Sequence, residues 1–435
     1  MYRNKTSKNK KLTMQLLLKN GTYIHPETLE FISGNILVEA GVDGQIQFVK
    51  DFPADKIFQT LDCSGKFITQ SFVCGHHHIY SALARGMGAP KKNPENFNEI
   101  LEYVWWTLDK CLDAEMIEAS ALYTAMASLK SGVTFVIDHH SSPNAINGSL
   151  EIIANAFEKV GASHLLCYEI SDRDGLDKAE EGLNETAEYI KTHQGLVGLH
   201  ASFTISDKTL NKAVELASQS NTGIHIHVAE AQSDQLHCQE NYGMRVVERL
   251  QKLGAMESGK TILGHCLHLS ENEKKIISNS PVWLVQNTES NLNNNVGYFN
   301  AAGLGANIMM GTDGMHSDML RSAKAAFFVG QNFDTIGYDS VYQRFRNADK
   351  YLINNNFKGH GHNNLVVLDY DTPTPFNTEN FYGHFVFGLE SRHVQHVISQ
   401  GKLVVENRKL VTVDEEEILT NAKIQAARLW AKMGG

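Results

Sequence analysis

Through the middle of the chain, short apolar runs alternate with longer stretches in which apolar residues recur at helical spacing. Eight such runs can be counted: KFITQSFV from 66, VTFVIDHH from 133, SHLLCYEI from 163, GLVGLHASF from 195, GIHIHVAE from 223, TILGHC from 261, VWLVQN from 282 and ANIMMGTD from 306. A strand-length run followed by a helical period, repeated, is the pattern of βα units on a parallel sheet, and eight of them predict an α/β fold closed into a (β/α)8 TIM barrel. Successive runs start roughly 20 to 40 residues apart, enough for a strand, a helix and two loops. The first gap is about twice as long as the rest. Its surplus, roughly residues 81–112, contains Trp105, Trp106 and several Gly and Pro. Two readings of it stand: a lid or wall over one end of the barrel, or a surface excursion that only packs helices.

Both ends of the chain have a different texture. MQLLLKN, NILVEA and GQIQFVK near the start, and NLVVLDY, HVQHVISQ and KLVVENRKL near the end, are β-prone runs separated by turn residues. A final amphipathic helix is predicted near Glu415 to Lys432. Hydrophobic residues make up 42% of the 435 positions and charged residues 20%, so there is apolar material for a large core. The 39 Lys+Arg against 49 Asp+Glu leave a net charge of -10, which argues against nucleic acid as a partner. No apolar run reaches the roughly 18 residues needed to span a bilayer. Met1 to Lys11 is basic and polar, and the LTMQLLL that follows is too short for a secretory core segment. The six cysteines form no C-x-x-C pair, which argues against a disulfide framework and a thiolate zinc cluster and predicts reduced thiols in a cytoplasmic protein.

Barrel enzymes carry their reactive side chains where the strands end, at the C-terminal mouth. Run one leads into Cys74-Gly75-His76-His77-His78, run five ends His225-Ile226-His227-Val228-Ala229-Glu230, run six ends Gly264-His265 and run eight ends Gly311-Thr312-Asp313. On extended backbone His76 and His78 point to one side and His77 to the other. A mononuclear catalytic metal site takes three or four nitrogen or oxygen ligands and keeps one position open. His76, His78, His227 and Asp313 supply that set. Among 20 histidines most are core or surface residues when taken singly, and it is the coincidence of four at strand ends that favours a metal site.

GHHHIYSALARGM at 75–87, CYEISDRDG at 167–175 and GTDGMHSDM at 311–319 resemble the amidohydrolase superfamily, in its cytosine-deaminase, guanine-deaminase and chlorohydrolase branch, and most of all the SsnA-type aminohydrolases. The resemblance implies that the two β-rich flanks, 1–67 and 363–435, join into one small β-sandwich domain beside the barrel of 68–362. It makes His76, His78, His227 and Asp313 the metal ligands, Glu230 the proton shuttle and His265 a hydrogen-bond partner of the transition state. A divalent ion there lowers the pKa of its water to about 7, and Asp313 can take up the proton released. Binuclear relatives carry a carbamylated lysine at the end of strand four. Here that stretch reads Leu199-His200-Ala201-Ser202-Phe203, so one ion is expected, Zn2+ or alternatively Fe2+. His200 resembles the family's substrate-contacting histidine. Glu169 and Arg173, just past strand three, are read as substrate contacts or as an ion pair with each other, the pair being preferred. His139 and His140 end strand two at the same rim.

Two segments depart from the family pattern. VQNTESNLNNNVG at 285–297 keeps Asn287, Ser290 and Asn291 but has Thr288 where proline is usual. RNADKYLINNNFKGHGHNNLVVLDY at 346–370 lacks the usual glycine and proline turn and has Asn364 in place of an aspartate. The expected reaction is hydrolytic deamination of a small purine- or pyrimidine-like nitrogen heterocycle. The alternatives are ring opening of a cyclic amide and a non-catalytic metal-binding scaffold. Relatives of this kind often form homodimers, and nothing in the sequence identifies an interface.

Overall fold

The computed structural model describes residues 15–42, 44–50 and 58–434, and the basic segment from Met1 to Lys11 lies outside the described residues. The described residues open with five strands, β1 (Gln15–Ile24), β2 (Phe31–Val38), β3 (Ile46–Val49), β4 (Phe58–Asp62) and β5 (Phe67–Gln70). Eight barrel strands follow: β6 (Phe72–His77), β7 (Val133–Asp138), β8 (Ser163–Leu165), β9 (Val197–Ala201), β10 (Ile224–Val228), β11 (Ile262–His265), β12 (Trp283–Gln286) and β13 (Ile308–Met310). Four more, β14 (Leu365–Leu368), β15 (Val394–Ser399), β16 (Lys402–Glu406) and β17 (Lys409–Leu410), precede a closing helix over Glu415–Gly434.

Among the described residues, the barrel is laddered as β6-β7-β8 and as β9 to β13, all parallel. Isolated bridges close both seams, Leu166 to Gly195 and Ile170 to Leu199 on one side and His77 to Asp313 on the other. Gly75 and Gly311 allow the second closure. A Cβ on Gly75 would lie 2.7 Å from the Met310 carbonyl oxygen, and one on Gly311 2.8 Å from that of His76.

Strand alternation sorts the side chains into two cores. Ile224, Ile226 and Val228 of β10 join the apolar layer between barrel and helices, while Val73, Phe135, Cys167, Val285 and Met309 form a separate cluster. The helix Tyr338–Asn354 contributes Ala348, Tyr351 and Leu352 to that second cluster, and the Tyr351 hydroxyl donates to the Lys260 carbonyl at 2.7 Å, just before β11. The N-terminal end of the barrel is thereby plugged. Polar side chains are left the opposite mouth.

The first run is two strands rather than one, a correction to the sequence reading. β5 pairs with β1 and β14, and only after Ser71 does the chain enter the barrel as β6. Nine strands from the two flanks form one sheet, in the order β17-β16-β15-β14-β5-β1-β2-β3 with β4 beside β1. The divergent 346–370 segment does not disturb the return. Asn364 accepts from the Gln400 amide at 2.6 Å and donates to the Gly359 carbonyl at 3.2 Å, and β14 begins at the next residue. Asn363 donates to the carbonyls of Glu39 and Gly41. Two asparagines stitch the end of the barrel to both flanks.

Candidate metal centre and substrate pocket

His76, His78, His227 and Asp313 come together at the C-terminal mouth. His78 Nε2 lies 3.1 Å from Asp313 Oδ1 and 3.2 Å from His227 Nε2, and His76 Nε2 lies 3.7 Å from Asp313 Oδ1. Four donors at about 2.0–2.1 Å around a tetrahedral ion would be roughly 3.3 Å apart, so the spacing fits one cation.

The outer ring of hydrogen bonds decides which nitrogens are bare. His78 Nδ1 donates to the His139 carbonyl at 2.7 Å, and His227 Nδ1 to the His200 carbonyl at 2.7 Å. Both protons are thus on Nδ1, and the two Nε2 lone pairs face each other. Cys167 donates to the Asp138 carbonyl, leaving its sulfur as acceptor for His225 Nδ1 at 3.7 Å. His225 Nε2 is then the acceptor for His76 Nδ1 at 2.9 Å, and His76 Nε2 is left buried without a partner. Three lone pairs converging on a carboxylate are mutually repulsive unless a cation sits among them. Electrostatics points the same way. Burial works against a charged His78, yet its hydrogen bond to Asp313 and the charges of Asp313 and Glu169 outweigh it and push the pKa up to about 9, so a positive charge, proton or cation, is favoured at its Nε2.

His139 and Glu169 also approach His78 and His227. They do not make a second site, because the same Nε2 atoms of His78 and His227 would be needed twice.

Glu230 and His265 face this centre, with His265 Nε2 3.5 Å from Glu230 Oε2 and 3.7 Å from Asp313 Oδ2. Asn291 Nδ2 donates to His265 Nδ1 at 2.7 Å, which leaves the His265 proton on Nε2, aimed at the two carboxylates. Burial, and after it the charge of Asp313, raises the Glu230 pKa well above the usual carboxylate range. Burial presses Asp313 the same way, but the His76 and His78 imidazoles beside it prevail and hold it well below. Two neighbouring carboxyls are therefore pushed apart, one towards acid and one towards anion. Ala229, His265, Cys266 and Asp313 all have left-handed backbone, with φ of 47°, 66°, 56° and 52°. Such residues cost of order 1 kcal/mol or more each, and here they stand at the ends of three strands where side chains are turned into the mouth.

The excursion is a wall. Phe97, Leu101, Trp105 and Trp106 line a pocket that is also lined by His78, His227, Glu230, His265 and Asp313. A π-helical turn, Leu101–Trp105, joins the short helices Phe97–Ile100 and Trp106–Cys111 there. The wall is anchored by Asp109, which accepts from Arg173 and from Ser141, while the Arg173 guanidinium lies 5.1 Å from the centre of a Trp106 ring.

His200, Arg173 and Glu169 all line the same cavity. Glu169 and Arg173 do not pair with each other as the sequence reading preferred. Arg173 pairs with Asp109 and Asp174, and Glu169 pairs with His139 at 3.1 Å, because the buried Asp109 reaches Arg173 from the excursion. Sequence reasoning gave no role to His225, Asn294 or Asp109. His225 stands two residues before His227, on the same strand face, and that spacing could have revealed it. Asn294, which donates to Glu230 Oε1 at 3.4 Å, and Asp109 had no such signal.

The amidohydrolase family model matches residues 67–342. Over 455 aligned positions the chain is 28% identical to a 5'-deoxyadenosine deaminase of Methanopyrus kandleri, covering 96% of this chain and 99% of that one. It is 25% identical to a 5-methylthioadenosine/S-adenosylhomocysteine deaminase of Thermoanaerobacter pseudethanolicus, with 96% and 99% covered. The crystal structure of a zinc-bound adenosine deaminase from Xanthomonas campestris superposes with a TM-score of 0.81 at 18% identity, over 96% of this chain and 98% of that one.

Proposed function

The chain belongs to the amidohydrolase family, and from that premise we propose that it catalyses the hydrolytic deamination of a purine-like heterocycle. It is a hydrolase of carbon–nitrogen bonds other than peptide bonds. The observation that carries the reading is the pairing of three bare imidazole nitrogens and an anionic Asp313 with an acid, Glu230, beside them. His76, His78, His227 and Asp313 would hold one divalent cation, which when bound supplies a water nucleophile at neutral pH. Zinc is the proposed ion, supported by the three-nitrogen, one-oxygen donor set and by the zinc in the Xanthomonas structure.

The chain's own residues do the rest. Trp105 and Trp106 offer flat apolar surface to a flat ring. Glu230 gives its proton to a ring nitrogen as the carbon is attacked. The Nε2 proton of His265 is directed where negative charge develops on the attacking oxygen. Asp313, held as an anion, accepts the proton that the nucleophile loses. Proton transfer to the amino group then lets the carbon–nitrogen bond break, so one water is consumed and one ammonia released.

The GHHHIYSALARGM and CYEISDRDG segments support an SsnA-type aminohydrolase with a part in purine breakdown. Six cysteines without a disulfide among the described residues support a cytoplasmic setting. No helix among the described residues is long and apolar enough to cross a membrane. The test is to offer purines, pyrimidines and their nucleosides to zinc-loaded protein, following ammonia and ultraviolet absorbance together. Ammonia in step with the spectral change is expected, and is lost when a chelator strips the metal. A spectral change without ammonia would mean ring opening instead.

A further inference from the structure

Glu230 is aimed by the backbone more than by its own contacts. Among the described residues its carboxyl receives one hydrogen bond, from Asn294 Nδ2 at 3.4 Å, and it stands 3.5 Å from His265 Nε2. The chain just before it is pinned at three atoms. The Val228 carbonyl accepts from the Cys266 amide at 2.9 Å, and the Ala229 carbonyl accepts from the amides of Leu267 at 3.2 Å and His268 at 3.1 Å. The Ala229 N–H donates to Asp234 Oδ2 at 2.9 Å. Ala229 is left-handed, with φ of 47°, a conformation that an alanine leaves when nothing holds it. The two carbonyls tie the approach to Glu230 to the end of β11, where His265 stands, through main chain alone. Of the three ties, the one to Asp234 is made by a side chain. An acid in the first turn of a helix is ordinary at a surface. Asp234, in the first turn of the helix Gln232–Tyr242, is instead 3% exposed, and its Oδ1 is buried without a hydrogen-bond partner. Burial pushes its pKa up to about 7 against the pull of the Ala229 and Phe203 N–H groups. Burying a carboxyl with one oxygen unpaired costs free energy, a departure from ordinary packing that is expected where a site requires it. A backbone N–H can only donate, so Oδ2 is the acceptor whatever charge the carboxyl carries.

We infer that Asp234 is a positioning residue for Glu230, holding the Val228–Ala229 peptide in the orientation from which the Glu230 carboxyl faces His265 and Asp313. Ala229 is fully buried, so without that acceptor its N–H is left unpaired away from water. The peptide then turns to find another partner and carries Glu230 with it. The role of Glu230 rests on the deaminase reading, but its placement by Asp234 can be seen without turnover.

Asp234→Ala and Asp234→Asn, each alone and combined with Glu230→Gln, test it in the zinc-loaded protein. Asp234→Ala is expected to lower kcat by about 30-fold, since misplacing a reacting group by about 1 Å costs on that order, with KM changed by no more than about threefold and zinc content unchanged. In the Glu230→Gln background, where the shuttle is already gone, the same substitution is expected to cost less than about threefold. A residue that only supports the barrel would give equal losses in both backgrounds. That result overturns the inference, and so does unchanged turnover in Asp234→Ala. Asp234→Asn keeps an oxygen for the Ala229 N–H and is expected to recover most of the turnover, whereas a loss as large as that of Asp234→Ala overturns the inference. Should the alanine variant not fold, Asp234→Asn decides alone. Diffraction without substrate reads the placement itself: Glu230 is expected to move by roughly 1 Å or more in Asp234→Ala and to stay in place in Asp234→Asn. An unmoved Glu230 in the alanine variant overturns the inference. A displaced Glu230, in a protein whose native form releases ammonia from no heterocycle, would support the inference and overturn the deaminase reading, so the two fail separately.

Discussion

Glu230→Gln is expected to keep a full complement of metal and to lower kcat by at least about 100-fold, the scale on which a positioned general acid acts. The amide preserves the shape of the side chain and can still receive the Asn294 hydrogen bond, but it has no proton to pass to the ring or to the departing nitrogen. KM should change little. The sign of the pH effect follows from the environment: burial and the Asp313 charge raise the pKa of Glu230, so its acid form persists to higher pH than that of an ordinary carboxyl and is lost as pH rises through that raised value. The native enzyme should therefore show a falling alkaline limb in kcat/KM that Glu230→Gln lacks. Steady-state kinetics against pH, with metal measured on the same samples, checks both parts. Unchanged turnover would remove Glu230 from the chemistry.

His227→Ala is expected to abolish activity through the metal itself, lowering metal content from one ion per chain to below about 0.2 after dialysis, because the other donors are preorganised for four-coordination. The ring is held by the His200 carbonyl at one nitrogen and faces His78 with the other, so its loss opens the shell without removing its neighbours. A histidine that merely packs in the barrel would leave metal content untouched. Elemental analysis of purified protein distinguishes the two, and full occupancy in the variant would contradict the ligand assignment.

Much of this was legible in the chain. Eight apolar runs at barrel spacing predicted the architecture, and those that lead into histidines or carboxylates placed His76, His78, His227 and Asp313 on one rim, because strand ends in a closed barrel must converge. The split of the first run at Ser71 was not legible, since β5 and β6 are both apolar and only their pairing partners differ. The excursion was ambiguous for a related reason. Its tryptophans could cover any apolar surface, and the Asp109 to Arg173 contact that directs them over the mouth joins residues 64 apart in sequence. The pairing of Glu169 with His139 was hidden in the same way, since it joins residues 30 apart in sequence and the near neighbour, Arg173, was the natural guess. The 346–370 segment rejoins the flanking sheet through Asn363 and Asn364, which bond the carbonyls of Glu39 and Gly41 and the backbone N–H of Gln400.

Diffraction from crystals of the zinc-loaded protein, recorded on both sides of the zinc absorption edge, would locate the ion directly. One anomalous peak per chain is expected, at roughly 2.0–2.2 Å from Nε2 of His76, His78 and His227 and from an Asp313 oxygen. Two peaks within the barrel mouth, or a single peak that any of those four side chains fails to reach, would contradict it.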